Sequence, residues 1–102
     1  MPTIRLQYDL RATHIDNNIP GVSHGRVYNL ISQQLTVRNW NRHQNSKWYK
    51  TLITFLAASA EADQVCQAVE ALCGLAPNPP APNHIFHRVE IEEQVNHGQI
   101  RP

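Results

Sequence analysis

The sequence predicts a single α+β domain, an antiparallel sheet carrying two helices, on three observations. Alternating apolar segments stand near both ends of the chain, two segments with helical periodicity lie between them, and the middle holds two β-type runs divided by a polar turn. A chain of 102 residues suffices for one core of helices packed on a sheet, and not for two.

The elements follow in order. In TIRLQYDLRA, Ile4, Leu6, Tyr8 and Leu10 alternate with Arg5, Gln7 and Asp9, the period of a strand with one buried face. THIDNNIPGVSHG is dense in Asn, Pro, Gly and Ser and reads as a long surface loop. From about Gly25, Val27, Leu30, Ile31 and Leu35 form the stripe of an amphipathic helix, with Ser23 as its cap and an end near Arg38. RNWNRHQ and KWYKTLITFLA, divided by Asn45 and Ser46, predict a hairpin whose second strand is the longer and more apolar. SAEADQVCQAVEALCGLAP sets Val65, Val69, Leu72 and Cys73 on one face of a second helix, beginning near Ser59 or Glu61 and stopped by Gly74 and Pro77. PNPPAPN is a stiff, exposed connector. In HIFHRVEIEEQ, Ile85, His87, Val89 and Ile91 alternate with Phe86, Arg88, Glu90 and Glu92, a last strand. Residues 95–102 show no period and are expected to form an irregular tail behind a domain spanning residues 1–94.

Right-handed crossovers in a βαββαβ chain place both helices on one face of a four-stranded antiparallel sheet, the ferredoxin-like arrangement. The other face, carrying Arg5, Gln7 and Asp9, must then meet water, RNA or a second copy. Phe86 and a hairpin aromatic on that face favour a homodimer through the sheet.

Composition narrows the function classes. An apolar fraction of 41% and a charged fraction of 17% are those of a globular protein, and no apolar run approaches the ~20 residues of a bilayer span. The N-terminal segment lacks the basic head and apolar core of a signal peptide, so a cytoplasmic location is expected, with no membrane partner. Cys66 and Cys73 lie in a helical pattern, where their Cα atoms stand roughly 10 Å apart, beyond the ~7 Å limit of a disulfide. They are read as reduced core thiols, and without HxxxH or CxxC spacing a zinc site has little support. Charge is sorted: residues 17–60 contain no Asp or Glu but include Arg26, Arg38, Arg42, Lys47 and Lys50. Beyond them Glu61, Asp63, Glu70, Glu90, Glu92 and Glu93 face only Arg88 and Arg101. Such sorting suits a polyanion-binding middle or charge matching between copies.

Three readings of the chemistry compete. Cleaving RNA through its own 2′-hydroxyl needs a proton acceptor, a donor to the leaving oxygen, and cations for the phosphate. Asp9, His43 and Ser46 supply the first two classes, and Arg42 and Lys47 the third. Asp9 can equally be a strand-end carboxylate paired with Arg5 or Arg11, and His43 an exposed hairpin residue. A binder without catalysis would use Trp40, Trp48 and Tyr49 among Arg38, Arg42, Lys47 and Lys50, although alternation sends Trp48 and Tyr49 to opposite faces. The third reading is a dimer or partner-binding domain. No cofactor is required by any of them, although Asp9 could hold a magnesium ion. His14, His24 and His97 fall in loops or tail and are read as solvated.

QYDL, RHQNSKWY, DQVCQAVEALCGL and FHRVEIEEQ together resemble the virulence-associated protein D (VapD) family, over nearly the whole chain. The resemblance implies a modified ferredoxin-like dimer, similar to the small ribonuclease-like subunit of CRISPR adaptation complexes. It also implies an endoribonuclease activity, in some members as a toxin paired with an antitoxin protein. On this resemblance the strand-end acid is Asp9, and the hairpin Gln and Ser are Gln44 and Ser46. The hairpin Gly is replaced by Asn45, which tolerates positive φ, and the acid of the last-strand motif by Asn83, which cannot take a proton. The stretch between Lys50 and Ala62 is longer than in the family, implying a lengthened third strand or an altered dimer edge.

Overall fold

The computed structural model describes residues 3–44, 47–76, 84–93 and 96–101. Ile4, Leu6 and Tyr8 are buried and Arg5 and Gln7 exposed, so strand β1 (Ile4–Leu10) presents one face to a core, as its alternation predicts. Helix α1 (Ala12–Asn18) and helix α2 (His24–Val37) follow, then strands β2 (Asn41–Gln44) and β3 (Lys47–Lys50), helix α3 (Phe55–Leu72), and strands β4 (Phe86–Glu93) and β5 (Asn96–Arg101). The five strands form one antiparallel sheet in the order β2-β3-β1-β4-β5. Helix α3 lies on β1, β4 and β5, α2 packs on α3, and α1 packs on α2. The described chain is therefore α+β with five strands and three helices, where the sequence predicted four and two.

Both extra elements have a physical reason. The stretch read as a loop folds as α1 because Ile15 and Ile19, one helical turn apart, are both buried. Asp16 fixes its junction with α2, accepting hydrogen bonds from the His24 backbone N–H at 3.0 Å and sharing one with His24 Nδ1 at 2.8 Å. Those bonds hold the exposed Asp16 carboxyl below its ordinary pKa. His24, expected in a loop, is thus the first residue of α2, whose cap is Ser23 as predicted: Ser23 Oγ accepts from the Arg26 N–H. The expected irregular tail supplies β5 instead. Its anchor is polar, which an apolar period cannot reveal: Arg101 is 6% exposed and donates to Glu70 Oε1 at 2.9 Å and Asp63 Oδ1 at 2.8 Å, both on α3. Burial works against the guanidinium charge, and its hydrogen bonds to Glu70 and Asp63 more than offset it, so its pKa is raised.

The ends of α2 and α3 are built alike. Asn39 (φ 65°) and Gly74 (φ 79°) take the left-handed position that closes a Schellman turn. Trp40 N–H then reaches the Leu35 carbonyl and Leu75 N–H the Glu70 carbonyl. Helix α3 begins at Phe55, capped by Thr54 Oγ1 on the Ala57 N–H, earlier than the Ser59 or Glu61 expected. FLAASA joins the helix because Leu and Ala are strong helix formers, which leaves β3 four residues long rather than the longer strand of the hairpin. Phe86, expected on the uncovered face, is 4% exposed with its ring 5.8 Å from that of Tyr8. An extra residue in β4, between the pairs Asp9↔Arg88 and Leu10↔Phe86, shifts the parity of the strand start. Cys66 is buried and Cys73 partly buried, both unbridged, and burial pushes each thiol pKa up. The connector at residues 77–83 lies outside the described residues. Among the described residues no helix is long and apolar enough to cross a membrane.

Truncating Glu70 to Ala would leave Arg101 without its one buried counter-charge, which meets two of the guanidinium nitrogens, so Glu70→Ala should lower unfolding free energy by about 3–5 kcal/mol in urea titrations. Asp63→Ala, at a half-exposed carboxylate, should cost no more than about 1 kcal/mol.

Candidate functional site

Strand parity and register divide the sheet into a covered and an uncovered face. Arg5, Gln7 and Asp9 share the uncovered one, and their cross-strand partners fix its rows. Arg5 lies between Tyr49 of β3 and Glu92 of β4, with Asn41 of β2 beyond Tyr49. Gln7 lies between Lys47 and Glu90. Asp9, half-buried, faces Arg88 across the last pair before the register shift. A groove of 610 Å³ runs over this face, lined among others by Arg5, Gln7, His43, Lys47, Tyr49 and Glu92. The register shift between Arg42 and Gln44 breaks β2's alternation, and His43 lines the groove beside Lys47 and Tyr49.

Electrostatically the groove has two sides. Its β1 and β3 side carries Arg5 and Lys47, with His43 on β2, while its β4 side carries Glu90 and Glu92. Arg5 meets Glu92 only at 3.8 Å with both side chains largely in water, a contact of little strength. Glu90 is held by Arg88 of its own strand at 3.0 Å. Lys47 is exposed and accompanied by no acid of its own segment.

The residues proposed from sequence therefore separate. Lys47 and His43 line the groove, and Asp9 lies on the same face two residues beyond Gln7, about 7 Å along the strand. Arg42 stands opposite Trp48 on the helix-covered side, its guanidinium 5.9 Å from the ring centroid. Lys50 also turns to that side, donating to Glu61 Oε1 at 3.0 Å and to the Arg38 carbonyl at 2.6 Å, with Trp40 Nε1–H donating to the same carboxylate oxygen at 2.9 Å. Arg38 donates to the Gln34 carbonyl and side-chain oxygen, at the end of α2. Lys50 and Arg38 thus fasten α2, α3 and the hairpin together. Trp40 and Trp48 are buried, which leaves Tyr49 as the hairpin aromatic on the open face. Ser46, Asn45, Asn83 and the Gln44 side chain lie outside the described residues.

Arg5 and Gln7, missing from the sequence-derived binding set, belong to the groove. Their signal was already present: odd positions of β1 and β3 share one face, so Lys47 and Tyr49 go with Arg5 and Gln7, and Trp48 and Lys50 with Ile4 and Leu6. Magnesium is commonly bound by one or two carboxylates together with substrate phosphates, and Asp9, with Arg88 opposite it, supplies one carboxylate. Among the described residues no three His, Cys, Asp or Glu side chains gather as metal ligands.

No protein-family model, curated protein or solved structure matches this chain.

The division of the two faces predicts a division in stability. Trp48→Ala should cost about 3–5 kcal/mol in denaturant titration, and Tyr49→Ala less than about 1 kcal/mol, because only the first empties a packed core position.

Proposed function

We propose that this chain binds single-stranded RNA on the uncovered face of its sheet and cleaves it as an endoribonuclease, with Asp9 at the cutting end. The observation that carries this reading is a groove whose β1 and β3 side is cationic and continues, along β1, to a carboxylate on the same face. Lys47 and Arg5 bind phosphate there, Lys as a point charge and Arg through a two-pronged contact. Asp9 takes the proton of the 2′-hydroxyl as its oxygen bonds to phosphorus, and His43 gives a proton to the departing 5′-oxygen, the division of labour that internal transfer requires. Further support comes from the strand order: without β5, β2-β3-β1-β4 is the order of a ferredoxin-like sheet. The resemblance to the VapD family points the same way, towards a toxin with a protein antitoxin.

One observation favours a second reading, a homodimer that buries this face without cutting RNA. Basic Arg5 and Lys47 on one half and acidic Glu90 and Glu92 on the other are self-complementary about a two-fold axis. The two readings use the same surface, so RNA and self-association should compete.

Incubated with labelled single-stranded RNA, the wild-type chain should produce cut ends and Asp9→Asn should produce none while keeping its far-UV spectrum and unfolding midpoint. Equal cutting by Asp9→Asn rejects the catalytic assignment. Lys47→Ala and Arg5→Ala should each weaken binding and reduce the salt slope by about 1, whereas Lys50→Ala should leave the slope unchanged. A light-scattering mass that doubles in the absence of RNA and is insensitive to RNA addition would favour the second reading.

A further inference from the structure

Five large apolar side chains are exposed among the described residues: Val37, Tyr49, Leu52, Leu56 and Leu72. Tyr49 alone of these belongs to a strand, and it lines the groove of the uncovered face. Its surroundings are ordered by the sheet. Arg5 stands directly across on β1, Asn41 directly across on β2, and Lys47 two residues back on the same face. A directly opposed pair brings Cβ atoms to about 4.5–5.5 Å, close enough for the Arg5 guanidinium and the Tyr49 ring to offer neighbouring flat surfaces.

We infer that Tyr49 is a stacking platform for one unpaired base, with the flanking phosphates held on the Lys47 and Arg5 side of the groove. This rests on the RNA reading above and specifies what part of the RNA the groove recognises. Every base has a π-face, so the platform accepts any base and rejects a sugar-phosphate chain without one. Base-paired RNA is also rejected, since its bases are already stacked on each other. Glu90 and Glu92 form the opposite wall and repel phosphate, which confines the backbone to the half of the face built by β1, β2 and β3. The neighbours of Tyr49 match this division: cations for the chain, and the Asn41 amide and Gln7 amide as adaptable hydrogen-bonding groups for a base edge. The acid-free composition of residues 17–60 has the same consequence, because the hairpin adds no charge that opposes a phosphate.

Binding of a fluorescently labelled 2′-O-methyl uridine pentanucleotide, which has no free 2′-hydroxyl to attack, and of an abasic pentamer with the same number of phosphates, tests the inference by anisotropy on the full chain. Wild-type protein should prefer the base-bearing strand by about 5- to 150-fold, the range for one stacked base. Tyr49→Ala should lose that preference while keeping its salt slope, and Tyr49→Phe should retain it. Unchanged preference in Tyr49→Ala, with Lys47→Ala still weakening both strands, overturns the platform and leaves the RNA reading standing. Absence of binding to either strand by the wild type overturns both.

Discussion

Strand β5 depends on a single buried charge. Its residues, Asn96, His97, Gly98, Gln99, Ile100 and Arg101, have no apolar alternation that could choose a register against β4. Arg101 makes the choice, because only one register sets its guanidinium between Glu70 and Asp63 of α3. A slip by one residue would carry the cation to the uncovered face and leave Glu70, 1% exposed, without a counter-charge. Gly98 supports the same register: a Cβ there would stand 3.1 Å from Ile91 Cγ2 and 3.5 Å from the Phe55 ring. β4 itself is placed by its pairing with β1 and by buried Val89 and Ile91, and β5 extends the sheet from it.

A second polar junction does comparable work at the other side of the sheet. Glu61 receives Lys50 and Trp40, and Lys50 also reaches the last turn of α2. The short β3 can be tied to both helices because its even positions carry one large apolar and one long polar side chain, Trp48 and Lys50. Its odd positions, Lys47 and Tyr49, are left for the solvent side. Core-facing and solvent-facing positions are thus interleaved residue by residue within four positions.

That interleaving explains what the amino-acid sequence revealed and what it concealed. β1, α2 with its Ser23 cap, the body of α3 and β4 were legible because their apolar residues repeat with the period of the element, although Leu72, expected on the core face of α3, is exposed. α1 was concealed by turn-forming residues that dominate its composition while two isoleucines bury it, and β5 by an anchor that is a charge. The candidate site was half legible. Residue type draws attention to the acid-free hairpin, but type alone cannot separate Lys47 from Lys50, which differ only in parity. Pairing with β1 supplies that distinction, and pairing across a sheet is a long-range property that no local window contains.

Register shifts interrupt three of the four strand pairings, at Asp9/Leu10, Arg42/Gln44 and Val89/Glu90. Each such irregularity bends its strand and adds right-handed twist. A surface coiled in this way meets a straight rod along one line only. Duplex nucleic acid is stiff over roughly 150 base pairs, whereas a supple, unstacked strand of the kind proposed above could follow such a twist.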